Sequence, residues 1–197
     1  MNPTIRHIYS TNHHTYPLPE NLRLELAHGD NLDYHERIKK AKDRGKVLFN
    51  ELFKNEEKIQ LIFIINEEGK KSHFKKYLYH NNFVIRDSFS TTELFLEWGE
   101  YETRDTILVI ETPMANIKIN QLIDSLCYQD FFEYGKMKIN HSFAFFNEKE
   151  NIIFTLYDDR GCDIWSDDFN RMQEIYKKYN DWLLDYDLDK MKAFYDK

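Results

Sequence analysis

A chain of 197 residues that is 42% hydrophobic and 16% aromatic, with only 6 Gly and 4 Pro, has the composition of a packed globular protein and not of a disordered one. At this length a domain buries about 70% of its unfolded surface, so neither a disulfide nor a metal is needed for folding. The net charge is −7, and residues 148–197 hold 13 Asp and Glu against 8 Lys and Arg, which disfavours nucleic acid as a direct ligand because phosphates require cations.

The first twenty residues are polar, with His13, His14, Pro17 and Pro19, and read as an irregular arm (1–20) ahead of one domain (21–197). They lack the apolar core of a secretion signal, and nowhere does an apolar run approach the roughly 18–20 residues of a membrane span. A cytoplasmic protein that does not associate with membranes is expected. Asn21 to Ala27 alternates, with Leu22, Leu24 and Leu26 on one face and Arg23 and Glu25 on the other, the pattern of a half-buried strand with its charges in water. Asp33 and Glu36 then stand three apart like a capping box. Ile38, Ala41, Leu48, Leu52 and Phe53 form the stripe of a helix, and Gly45 inside it either weakens it or admits a close contact.

Lys58 to Asn66 is apolar at nearly every position, which suits a central strand covered on both faces. A short helix is predicted over Lys71 to His80, and a second central strand over Asp105 to Glu111, stopped by Pro113. Ile119, Leu122, Ile123, Leu126 and Cys127 give the next helix its apolar face. Asn140 to Phe146 and Ile152 to Tyr157 read as a hairpin, and Asp159-Arg160-Gly161 as a tight turn into a strand from Cys162 to Trp165. Ser166 is placed to cap a helix running to about Trp182, with Phe169, Met172, Ile175, Tyr176 and Tyr179 inward; a last helix spans Asp187 to Tyr195. Strands and helices without a regular βαβ rhythm make this α+β, with a mainly antiparallel or mixed sheet and a C-terminal meander followed by two helices.

Chemistry is harder to find. Asp158, Asp159 and Asp163 could hold Mg²⁺ or share protons, although turn and ion-pair roles account for them better. Asp185-x-Asp187-x-Asp189 resembles the start of an EF-hand, but Lys190 occupies the position where that loop needs Gly. The histidines have no zinc-ligand spacing. Cys127 and Cys162 form no CxxC pair and read as small buried hydrophobes in a reducing compartment. GxSxG, P-loop and GxGxxG patterns are absent. No cofactor is implied, and the sequence makes no positive case for an enzyme.

The run Tyr157-Asp158-Asp159-Arg160-Gly161-Cys162-Asp163, followed by Ile175-Tyr176-x-x-Tyr179-x-x-Trp182-Leu183-x-x-Tyr186-Asp187, resembles a bacterial domain-of-unknown-function family of Bacillus-like Firmicutes. Some families of small acidic proteins of this kind are linked with toxin loci, where they are proposed as immunity proteins. The resemblance implies a non-enzymatic module that binds a basic protein partner, with Asp158, Asp159, Asp163, Asp167, Asp168 and Trp165 as the acidic–aromatic patch. The alternative is a Mg-dependent hydrolase or nucleotide-handling enzyme built on the same aspartates.

Overall fold

The computed structural model describes residues 20–27, 32–65, 90–98, 103–128 and 143–196, with the backbone alone over 64–65, 90–98 and 103–107. Its strands are β1 (Leu22–Glu25), β2 (Lys58–Ile65), β3 (Ser90–Trp98), β4 (Thr103–Pro113), β5 (Phe143–Asn147), β6 (Ile152–Leu156) and β7 (Gly161–Ser166). Its helices are α1 (Tyr34–Phe53), α2 (Ile119–Cys127), α3 (Phe169–Lys178) and α4 (Leu188–Tyr195). The strands form one sheet in the order β1-β7-β6-β5-β2-β4-β3, and every neighbouring pair is antiparallel. The α+β expectation therefore holds, with an antiparallel sheet.

The all-apolar segment becomes the interior strand β2, paired with β4 on one side and β5 on the other. Cross-strand register shows why it is apolar throughout. Leu61 joins Ile110 and Phe145 on the face that packs beneath the helices. Ile62 joins Val109 and Ala144 on the opposite face, and all three are buried there too. With both faces covered, alternation disappears from the sequence. The meander β5–β6–β7 follows as anticipated. Asn151 takes a positive φ of 51° in its first turn, a conformation that Asn tolerates better than most residues.

Helix α1 starts where the capping pattern placed it: the Asp33 carboxylate accepts the Glu36 backbone N–H at 2.9 Å. Gly45 marks a close approach, since a Cβ there would lie 3.0 Å from Leu156 Cδ1 on β6 and 3.2 Å from Ile123 Cγ2 on α2. The glycine gives up helix propensity so that α1 can settle onto both neighbours. A core of Leu48, Leu52, Phe53, Phe145, Phe154 and Leu126 lies between this helix layer and the sheet.

Three expectations need correction. The helix after β7 is capped by Asp168, whose carboxylate accepts the Arg171 N–H at 3.1 Å, while Ser166 Oγ accepts the Asp168 N–H one step earlier. That helix ends at Lys178, and the chain continues as 3₁₀ turns over Asn180–Trp182 and Asp185–Asp187. Phe169, expected inside, is 40% exposed; it sits in the first helical turn, where its ring stacks on Tyr195 near the surface. The helix predicted over Lys71 to His80 lies outside the described residues. Among the described residues no helix is long and apolar enough to cross a membrane.

Candidate functional site

The strand–turn–strand from Tyr157 to Trp165 is where sequence reasoning put the acidic patch, and the structure spends most of its carboxylates internally. Asp158 is buried. Its Oδ1 accepts the Arg160 backbone N–H at 2.7 Å, and its Oδ2 accepts Nε of the same arginine at 2.8 Å as well as Nη2. This turn bends β6 back into β7. Asp159, also buried, pairs with Arg37 Nε on α1. Burial pushes the Asp159 carboxyl above its ordinary range, a shift that Arg37 opposes.

Gly161 follows because nothing larger fits. A Cβ would lie 2.9 Å from the Leu24 carbonyl oxygen and 3.1 Å from the Tyr157 ring. Cys162 is fully buried against the core. Asp163 Oδ1 accepts Arg23 Nε at 3.2 Å and the Tyr157 hydroxyl at 3.1 Å; its carboxyl is also pushed up, first by burial. The other two members of the patch differ. Asp167 and Asp168 are exposed, the latter occupied as the α3 cap, and Trp165 is half-buried on β7. The six residues therefore do not form one exposed acidic face. Buried carboxylates require partners, and the arginines that supply them lie far away in the sequence.

Arg23 is the residue that sequence alternation misplaced. It is only 8% exposed, and besides Asp163 it bonds Asp187 Oδ2 through Nη1 at 2.5 Å. Burial works against its charge, but Tyr157, Asp163 and Asp187 more than offset that and raise its pKa. Lys190 adds a second cation at Asp187, at 3.1 Å. The EF-hand-like aspartate is thus neutralised by the lysine that stands where that loop needs Gly.

Around Arg23 the first described strand meets the C-terminal segment 183–195. The Leu184 N–H donates to the Arg23 carbonyl at 2.9 Å, Leu24 bridges Leu183, and the Tyr195 hydroxyl donates to the Glu20 carbonyl at 2.5 Å. The alternation signal for Arg23 was ordinary; only a count of unmatched C-terminal carboxylates could have hinted at its burial.

Both cysteines are free thiols buried in the core, an environment that disfavours the reactive thiolate. Burial pushes the Cys127 thiol up to about 12 and lifts Cys162 well above its ordinary value. The described residues contain no group of three or more His, Cys, Asp or Glu able to hold a metal, and the aspartates of the hydrolase reading are engaged with Arg37, Arg160 and Arg23. A cysteine nucleophile would also need a histidine beside it, and His141, in the expected hairpin strand Asn140 to Phe146, lies outside the described residues.

Two further surface features stand out among the described residues. A groove of about 590 Å³ runs between α1 and the end of α3, walled by Val47, Lys54, Tyr179 and Trp182. On its floor Glu51 receives Lys178 at 2.6 Å and Arg171 at 3.3 Å, and Arg44 covers the Trp182 ring at 4.6 Å. The second feature is the turn Asp185–Asp187. Its Asp187 side chain is anchored inward, and Tyr186 is 85% exposed between exposed Asp185 and Asp189.

Comparison with known proteins agrees with the bacterial resemblance. The model of the family described as "Domain of unknown function (DUF3885)" matches residues 1–187. A relative described as "Uncharacterized protein YnaE", from Bacillus subtilis (strain 168), is 27% identical over 158 residues, covering 73% of each chain. No solved structure matches the chain.

Proposed function

For a chain that belongs to the DUF3885 family of domains of unknown function, we propose a non-enzymatic role in the cytosol: binding and neutralising or regulating a basic protein partner, in the manner of an immunity protein. The observation that carries this reading is Tyr186, which stands 85% exposed on a turn pinned from within by Asp187. Tyrosine is a preferred anchor of protein interfaces because it brings a large, rigid, amphipathic surface at small entropic cost. Asp181, Asp185 and Asp189 are exposed on the same stretch, so a cationic partner would be steered toward the anchor. The docking surface is therefore Asp181 to Asp189, displaced from the buried carboxylates of the signature.

The test is co-purification from the native host of a stoichiometric basic protein, followed by affinity measurement with variants. Tyr186→Ala should weaken binding at least about tenfold, as for an interface hot spot, and Asp185→Asn with Asp189→Asn should slow association chiefly at low salt. Unchanged affinity in both variants would remove this surface from consideration.

A further inference from the structure

The groove between α1 and the end of α3 sets an apolar wall beside a surplus of cations, and every residue that lines it is a described one. Val47, Tyr179 and Trp182 make the apolar wall. Val47 is 47% exposed on a helix whose other aliphatic side chains are all buried. The Trp182 ring is held in place by its neighbours: Arg44 covers it at 4.6 Å, and the Tyr179 ring lies 5.0 Å away. At about 590 Å³ the groove is of the size that takes small organic ligands.

The charges lie on the floor and rim. The Glu51 side chain is 13% exposed, and three cations converge on it: Lys178 at 2.6 Å, Arg171 at 3.3 Å and Lys54 at 3.9 Å. Burial alone would raise the Glu51 carboxyl, but Lys178, Lys54 and Arg171 more than offset this and lower it. Arg171 divides its charge among Glu51, Glu150 and Glu174. Among the described residues Lys54 and Lys178 pair with no carboxylate besides Glu51, and their side chains are 57% and 55% exposed. An ammonium carries three N–H donors, of which Lys178 gives one to Glu51. Asp181 also lines the groove, and its carboxylate opposes an incoming anion.

We propose that this groove binds a small aromatic anion, its ring against Val47, Tyr179 and Trp182 and its anionic group received by Lys54 and Lys178. Each part of the ligand answers one part of the site. The ring covers apolar surface that water otherwise wets, and the anion meets two ammonium groups that share a single carboxylate. A cationic ligand would be repelled by both lysines. Exposed charge pairs contribute little each, so the preference for an anion is modest in size. The site stands independently of Tyr186.

The experiment titrates the full chain with 2-naphthoate, with the uncharged 2-naphthalenemethanol and with acetate, followed by amide and indole NMR shifts. Naphthoate should saturate shifts of the Trp182 indole and of amides in 47–54 and 178–182. The alcohol should bind there at least about fivefold more weakly, and acetate should give no saturable shift at the same concentrations. Lys54→Gln with Lys178→Gln should bring naphthoate down to the affinity of the alcohol while leaving the alcohol unchanged. If that pair of changes disturbs the fold, Lys54→Gln alone, at the weakest contact with Glu51, should still lower naphthoate affinity. Val47→Asp should weaken naphthoate and alcohol together, and Asp181→Asn should strengthen naphthoate only. Equal affinity of naphthoate and alcohol, or naphthoate binding that the lysine variants leave unchanged, would overturn the proposal. So would the absence of saturable shifts in this groove, or their loss in Tyr186→Ala.

Discussion

The β1 edge is lined by a later segment of the chain, Leu183 and Leu184, whereas β3, the last strand at the other end of the sheet, pairs among the described residues with β4 alone. At β1 the closure is ionic and steric: Arg23 is held between Asp163 and Asp187, and Gly161 lets β7 approach Leu24. At β3 the strand continues the sheet through backbone pairing with β4. The residues that make the family signature conspicuous thus lie at the closed edge, where they serve the fold. A dense acidic motif is then no guide to an acidic surface, because each carboxylate had to be matched before it could be buried.

If the closed edge depends on its ion pairs, Arg23→Ala should have the largest effect. Removing it leaves Asp163 with the Tyr157 hydroxyl and Asp187 with Lys190 as their remaining side-chain partners, and a loss of about 3–5 kcal/mol is expected in chemical denaturation, together with faster proteolysis after Leu183. A loss below about 1 kcal/mol would mean that apolar contacts close the edge on their own. Gly161→Ala comes next, at about 1–3 kcal/mol, because the added carbon meets a backbone carbonyl that cannot rotate away. Asp168→Ala should cost about 1 kcal/mol, the value of one helix cap, and should leave the β1 edge intact when its amide exchange is compared with wild type.

The smallest effect is one of pH. Burial raises the Asp159 carboxyl above its model-peptide value of 3.8, so the folded protein holds that proton more tightly than the unfolded chain. The corresponding stability is fully present below about pH 3.8 and is lost as pH rises through the raised value. Asp159→Asn carries no such titration, so its stability relative to wild type should improve between about pH 4 and about pH 7. A constant difference across urea titrations at those pH values would show that Arg37 cancels the effect of burial.

Much of this architecture was legible because its causes are local. The Asp33 cap, the stripe of α1, the uninterrupted apolar run of β2 and the turn at Asp159-Arg160-Gly161 each depend on residues within a few positions of one another. What was misread depends on distance. Arg23 looks like a solvent-facing residue of an amphipathic strand until Asp163 and Asp187, 140 and 164 residues away, arrive beside it. Asp159 looks available until Arg37 crosses from α1. The patch of Asp158, Asp159, Asp163, Asp167, Asp168 and Trp165 was contiguous in the chain, but alternation and the turn distribute its members between interior and surface. Tyr186 gave no signal of exposure, because the apolar spacing Tyr176, Tyr179, Trp182, Tyr186 continues through the point where the helix stops.

The hydrogen bond from Tyr195 to the Glu20 carbonyl joins groups 175 residues apart, and it has a bearing on biosynthesis. Of the described strands, the one made first is completed last. Until the final helix has left the ribosome, β1 lacks the residues that line its outer side, and Arg23 lacks Asp187. Sheet closure at this end therefore waits for residues 183–195 to be made, and contacts of such long sequence separation fold slowly. A nascent chain arrested before Leu183 would present β1 without the residues that line its outer side.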